Sequence, residues 1–210
     1  MQNNLNFKLN SDPEELKIVS KLITQVYQGE GYISSDSDSG SKITEFLGNP
    51  DTKTFVATLD DKIVGTVSLA VDSSDGLPMD VIFREELNPV RQAGKSIAEV
   101  CQFVVDKDFL KDNIDKADLS VIESNITLGL LKHVIMYGLE VDLDLFVFTI
   151  NPKHRIFYES LGALQVGEEK VYPSVNNAPA LAYILDIKAL QEQAKKGELT
   201  HMLLRKLFST

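Results

Sequence analysis

Asn151-Pro152-Lys153-His154-Arg155-Ile156-Phe157-Tyr158-Glu159-Ser160-Leu161-Gly162-Ala163 decides how the rest of the chain is read. It follows the apolar run 143–150, which has the length and composition of a buried strand. Asn-Pro stops that strand: proline has no N–H for a ladder, biases the residue before it away from helix, and suits the first turn of a new helix. Phe157, Tyr158 and Leu161 fall on the face of that helix that packs inward. Gly162 ends it in the left-handed conformation that a Cβ resists. A buried strand, a sharp stop, one aromatic helix and a glycine exit occur in this order in few folds.

Upstream, 119–139 reads as a long helix with an apolar stripe from Val121 to Leu139, where Gly129 and Gly138 mark close packing and the exit. Before it, 96–105 is a strand built on Ile97, Val100, Phe103, Val104 and Val105. Glu99, Cys101 and Gln102 interrupt that strand. In regular alternation Glu99 and Cys101 share a face and Gln102 takes the other, unless a bulge brings them together. An acid inside a central strand is costly unless it is paired or used. Further back, 53–59 and 62–71 form a hairpin joined by Asp60-Asp61. A turn-rich link, 72–80, leads to 83–91, helical in part and interrupted by Pro89.

Nearer the start, Ser11-Asp12-Pro13-Glu14-Glu15 opens a helix with a capping residue and acids at its positive end; it runs to about Gln28 and Gly29 closes it. Gly31-Tyr32-Ile33 then enters the polar stretch 34–41, read as a surface loop or, in a sharper reading, as a lid over a cleft. Its Asp-Ser alternation lacks the glycine and glutamate spacing of a calcium loop, so no metal site is assigned. Downstream of Gly162, 164–167 and 170–172 make one strand arm and 180–187 another, with 173–179 held stiff by two prolines. The tail 188–208 is helical with a break near Gly197. Leu199, Met202, Leu203 and Leu207 give it an apolar edge that packs on its own domain or on a second subunit, so a homodimer is one arrangement it permits.

Two hundred and ten residues, 43% hydrophobic and 25% charged, suffice for one sizeable core. A formal net charge of −10 argues against nucleic acid as the main partner. The single cysteine, Cys101, cannot form an intramolecular disulfide. Residues 1–10 lack the pattern of a signal peptide, and no apolar run approaches a membrane span. The expectation is a cytoplasmic protein.

The order helix, hairpin, strand, long helix, strand, short helix, strand, strand resembles the GNAT acyltransferase fold. That resemblance implies an α/β (α+β) domain over 1–187 with a mixed, mostly antiparallel central sheet, a splayed strand pair and flanking helices, followed by a helical extension, 188–210. Five blocks are similar to the N-acyl amino acid synthase group, GNAT-like relatives of the acyl-homoserine-lactone autoinducer synthases: Gly76-Leu77-Pro78-Met79-Asp80, Ala98-Glu99-Val100, Asn151 to Tyr158, Leu161-Gly162, and Tyr172 to Ala180.

The resemblance implies transfer of an acyl group from a thioester, on an acyl carrier protein or coenzyme A, to the amine of an amino acid or similar acceptor, with no tightly bound cofactor. An ammonium must lose a proton, the thioester oxygen must be stabilised as it becomes anionic, and the leaving thiolate can take a proton. Glu99 is the candidate for the first task or for gripping the ammonium; its plainer reading is an acid paired with Arg91, Lys95 or another base. Backbone amides of Phe103, Val104 and Val105 are candidates for the second. Tyr158 matches the place of a tyrosine near the thiol, or is a core aromatic. Asn151 binds the pantetheine arm or the helix amides, or is a plain stop signal, and Tyr32 is placed with the binding residues.

Gln102 stands where autoinducer-type relatives carry an arginine, and it is counted with the acceptor-binding residues. Residues 106–128 contain no glycine, unlike the usual coenzyme A grip, which favours a carrier-protein thioester. His133 and His154 have no orienting carboxylate at a suitable spacing, and His201 lies in the tail; packed or solvated histidines are expected. Cys101 reads as a small buried hydrophobe rather than a nucleophile. The alternative to an enzyme is a catalytically silent GNAT-like module that binds an acyl group, an amino acid or a protein.

Overall fold

The computed structural model describes residues 4–34, 39–199 and 201–208. Its strands are β1 (Leu5–Asn10), β2 (Thr52–Leu59), β3 (Lys62–Val71), β4 (Ile97–Val105), β5 (Leu145–Ile150), β6 (Leu164–Tyr172) and β7 (Ala178–Asp186). They form one sheet in the order β1-β2-β3-β4-β5-β7-β6. Pairs β1/β2, β5/β7 and β6/β7 are antiparallel and β4/β5 is parallel, which is the mixed, mostly antiparallel sheet expected. The helices are α1 (Pro13–Gly29), α2 (Ser39–Leu47), α3 (Asp80–Gln92), α4 (Lys107–Asn113), α5 (Lys116–Glu140), α6 (Arg155–Ser160), α7 (Ile187–Lys196) and α8 (Met202–Phe208). The chain divides into two compact units, Met1–Leu69 with Gln102–Val134 and Ala70–Cys101 with Ile135–Thr210.

In the first unit β1 pairs with β2 from Leu5↔Leu59 to Asn10↔Thr54, a strand the sequence pattern did not announce because its alternation is short and polar. Asp12 Oδ1 accepts the Glu14 N–H at 2.9 Å and caps α1. Gly29 stays inside the helix; the left-handed exit is Gly31, at φ +75°. Glu30 and Gly31 donate to Val26 and Gln28, so the last turn completes its bonds beyond the expected stop. The expected loop 34–41 is shorter than it reads. Residues 35–38 lie outside the described residues, and Ser39 to Ser41 open α2. That helix is stabilised by burying Ile43 and Leu47 against Val19, Leu22 and Ile23, while Ser20 Oγ bonds Gly40 O and Thr44 Oγ1. Asp60 and Asp61, at φ 48° and 66°, make the tight hairpin turn between β2 and β3.

Gly65 and Gly129 let α5 approach this unit. A Cβ at 65 would lie 2.9 Å from Ile126, and one at 129 would enter the Phe7 ring. His133 stacks on Phe7 with centroids 5.1 Å apart and its Nδ1 lies 2.8 Å from Gly129 O, so it is a packed histidine. By length and mean hydropathy α5 could cross a membrane, contrary to the expectation that no apolar run approaches such a span. Its Ile126, Leu130 and Val134 are fully buried in protein.

In the second unit β5 runs antiparallel to β7 along its whole length, from Leu145↔Asp186 to Ile150↔Leu181. Its parallel ladder with β4 has three rungs, Ile97↔Leu145, Ala98↔Phe146 and Glu99↔Val147, and stops there. Gly138 is a packing glycine, its missing Cβ 2.6 Å from the Phe146 ring; the chain leaves α5 at Asp142, at φ 62°. The kink expected at Pro89 is instead at Phe83, whose φ −119° and ψ 20° are not helical. Lys170 from β6 donates to Ile82 O at 2.8 Å and pairs with Glu86 at 2.6 Å, which occupies the carbonyl that the kink exposes. Pro89 costs one helical bond, while Leu87 is fully buried and secures the turn around it.

β6 carries a bulge between Val166 and Lys170, with Gly167 at φ 69°. The connection to β7 turns on Asn176 and Asn177, both at φ 56°, rather than on stiff prolines; Pro179 is already in β7, opposite Val171. Gly197, at φ 71°, separates α7 from α8 as expected. The buried residues of the tail are Leu190, Leu199, Leu204 and Leu207 among those described; Met202 is 66% exposed and Leu203 half-buried, so the apolar edge is rotated from the one expected.

Candidate active site

Glu99 is the third residue of β4 and sits on the last rung of the parallel ladder. It is 2% exposed. Its Oε2 accepts the Met79 N–H at 2.7 Å and its Oε1 the Thr149 hydroxyl at 3.3 Å. The ion pair of the plainer reading does not form. Arg91 is engaged by Asp72 and Asp80, and Lys95 by Asp144 at 3.6 Å. A buried carboxyl without a cation resists ionisation, and burial pushes Glu99 up to about 8; the Met79 and Thr149 bonds counter this and the Asp80 charge adds to it.

The turn 77–80 that delivers the Met79 amide is held on two sides. Asp80 Oδ2 accepts the Leu77 N–H at 3.0 Å, and the Tyr172 hydroxyl donates to Pro78 O at 3.0 Å. Arg91 donates two bonds of 2.8 Å to Asp80 and two of 2.8 Å to Asp72. Burial would raise the Asp80 carboxyl, but the bonds from Arg91 and Leu77 and the charges of Arg91 and Arg84 hold it below the usual range. The Tyr172 phenol is pushed up by burial and by the nearby Glu99 and Cys101.

Cys101 is half-buried, and its thiol is pushed well above its ordinary value by burial and by Glu99. That is the environment of an inert thiol rather than a thiolate nucleophile. Tyr158 on α6 packs edge-on to Phe148 and Phe157, with centroids 5.0 and 5.3 Å apart. Burial pushes its phenol up, and among the described residues its hydroxyl has no hydrogen bond. Leu161 is fully buried and Gly162 takes φ +82°, as the opening stretch requires. Asn151 Oδ1 accepts the Lys153 N–H at 3.1 Å and caps the 3-10 turn Pro152–His154, so that oxygen serves the helix amides. His154 is exposed, and His201 accepts the Leu203 N–H at 3.4 Å.

The remaining candidates belong to the first unit. Gln102 takes φ 51°, so β4 does contain the irregularity that its sequence left open. Its Oε1 accepts from Ser68 Oγ at 3.2 Å, and Ser68 lies 3.4 Å from Thr54 Oγ1 within the buried sheet. Phe103 and Val105 are half-buried, and the Val104 side chain belongs to the core of α1 and α2. Tyr32 packs edge-on to Tyr27, centroids 5.7 Å apart.

Sequence reading missed Met79, Asp80, Thr149 and Tyr172 as neighbours of Glu99, and it paired Arg91 with Glu99 rather than with Asp72 and Asp80. Met79 acts through its backbone, which no residue type announces. Asp80 and Arg91 are 11 residues apart in one helix, where side chains do not ordinarily meet. The block Gly76 to Asp80 was the available signal, because a glycine turn followed by an acid at a helix start implies a fixed turn.

One family model, described as N-acyl amino acid synthase FeeM, matches residues 18–186. FeeM itself, an N-acyl amino acid synthase from uncultured soil microbes, is 32% identical; the match covers 91% of this chain and 96% of that one, with a TM-score of 0.76. The acyl-homoserine-lactone synthase LasI has a TM-score of 0.61 at 16% identity, over 88% of this chain and 91% of that one. A GNAT-family acetyltransferase from Staphylococcus aureus Mu50 has a TM-score of 0.57 at 15% identity, over 88% and 99%. At such identities these last two show the fold alone. No curated protein matches the chain.

Proposed function

Because this chain belongs to the N-acyl amino acid synthase family, we propose that it transfers an acyl group from a thioester to the amine of an amino acid or similar acceptor, with Glu99 as general base. The observation that carries the role of Glu99 is its buried carboxyl, hydrogen-bonded but paired with no cation among the described residues, and pushed up to about 8 by burial. An ordinary carboxylate is a poor match for an ammonium. One near 8 takes its proton with little penalty.

In the reaction the acceptor ammonium gives a proton to Glu99, and the free amine adds to the thioester carbonyl. The amides of Phe103, Val104 and Val105 are assigned to the oxygen that becomes anionic. The C–S bond then breaks: the thiolate leaves with a proton that we assign to Tyr158, and the second proton of the attacking nitrogen, acidic once the C–N bond has formed, restores the phenol. Asn151, Gln102 and Tyr32 are retained as binding residues. The glycine-free stretch 106–128 favours a carrier-protein thioester over coenzyme A as donor. Residues 1–187 form the transferase domain in this reading, 188–210 are its extension, and the reaction is assigned to the cytoplasm.

Mass spectrometry of products formed from acyl-carrier-protein and acyl-coenzyme A series with an amino acid panel tests this. N-acyl amino acids are expected, falling about 100-fold with Glu99→Gln. Absence of product with both donors sinks the activity, and undiminished product with Glu99→Gln sinks the role of Glu99.

A further inference from the structure

We propose that Arg91 is a positioning residue: by clasping Asp72 and Asp80 together it fixes the turn 77–80 so that the Met79 N–H is aimed at the Glu99 carboxyl. The inference rests on the reading of Glu99 as the base. It begins from a distance argument. In a straight helix Asp80 and Arg91 would stand roughly 16 Å apart along the axis. The kink at Phe83 brings the two ends of α3 within reach, and the guanidinium then makes two bonds of 2.8 Å to each aspartate. Asp80 Oδ2 also accepts the Leu77 N–H, so the cation that grips Asp80 grips the turn. Two residues of slack separate that anchor from the 2.7 Å bond of Met79 to Glu99, and Tyr172 takes up part of it at Pro78 O.

The clasp holds one cation and two carboxylates, so its charge and its geometry act on Glu99 in opposite directions. The titratable groups that face Glu99 are Asp80 from α3, Cys101 from β4 and Tyr172 from β6. Removing Arg91 exposes Glu99 to an uncompensated Asp80 and releases the Met79 amide, and both changes raise the Glu99 midpoint. Removing only the Asp72 charge should lower the midpoint if electrostatics alone matter, because Arg91 then serves Asp80 undivided. It should raise the midpoint if loosening the turn withdraws the amide.

Carboxyl-labelled glutamate followed by NMR over a pH titration gives the Glu99 midpoint directly, assigned by Glu99→Gln, and the Met79 amide shift reports its bond. In Arg91→Met the midpoint should rise by about one unit and the Met79 amide should move upfield. In Asp72→Asn it should rise by less. The pH–rate profile should move with it, lowering kcat/KM near neutrality by up to about tenfold. Should Arg91→Met fail to fold, Asp72→Asn carries the test. An unmoved or lowered midpoint in folded Asp72→Asn, or an unmoved one in Arg91→Met, overturns the clasp. Full turnover by Glu99→Gln would instead remove the base while leaving the midpoint and amide shift to decide the role of Arg91.

Discussion

Thr149 Oγ1 stands 3.3 Å from Glu99 Oε1, two residues beyond the last rung that joins β4 to β5. With the Met79 amide it supplies the only hydrogen bonds the Glu99 carboxyl has among the described residues. The carboxyl is therefore protonated in the folded protein over a range where it is ionised in the unfolded chain. Its ordinary value is 4.5 and its folded value about 8, so the native state binds the extra proton between these limits. This contribution to stability is intact below about pH 4.5 and is lost as pH rises through about 8. Replacing Glu99 with Gln removes the loss. Denaturant unfolding should show the Gln variant gaining on the wild type with rising pH, on the order of 1–3 kcal/mol by about pH 9. A difference independent of pH contradicts the raised pKa.

Gly129 faces the Phe7 ring so closely that a Cβ would lie 2.6 Å from Cε2 and nearer still to other ring atoms. Gly129→Ala, which in an open helix would add about 1 kcal/mol, should instead cost about 1–3 kcal/mol. Phe7→Leu in the same chain should recover part of it. Additive losses in the double mutant would show that the two residues do not touch in solution.

Asp61 occupies the second position of the β2–β3 turn at φ 66°. Asp61→Gly should be neutral or stabilising, and Asp61→Ala should cost about 1 kcal/mol, because alanine lacks both glycine's freedom and a local polar partner. Equal midpoints for Ala and Gly in thermal unfolding would contradict a left-handed turn.

Cys101 has a thiol held in its protonated form by burial and by Glu99. Iodoacetamide should label it far more slowly in the native protein than in denaturant, and Cys101→Ser should keep turnover within about twofold. Loss of turnover with retained folding would reopen nucleophilic catalysis.

The elements that declare themselves through periodicity or turn chemistry were legible: the Asp60-Asp61 hairpin, the long helix, the Asn-Pro stop and the Gly162 exit. Those built by tertiary pairing were not. β1 gains its strand state from β2, and α2 from burial of Ile43 and Leu47 after a polar first turn. The kink moved from Pro89 to Phe83 because a lysine 88 residues downstream of Ile82 supplies the missing donor. At the candidate site, Glu99 drew notice because an acid in an apolar strand is anomalous by itself. Its partners did not, since a backbone amide and two ends of a bent helix leave no mark in residue type. The irregularity at Gln102 is a fact of φ, and glutamine does not advertise it.

Lys170 couples two segments that are remote in the chain. Its ammonium bonds Ile82 O, pairs with Glu86 and lies 5.1 Å from the Phe83 ring centroid, so β6 closes the break in α3. Fraying of β6 therefore removes a latch from α3, and the two segments should exchange their amide protons as one cooperative unit. In a Lys170→Met variant the amides of 83–88 should lose protection together with those of 164–172. The turn at Glu99 would then depend on β6 twice, directly through Tyr172 at Pro78 O and at a distance through the Lys170 latch.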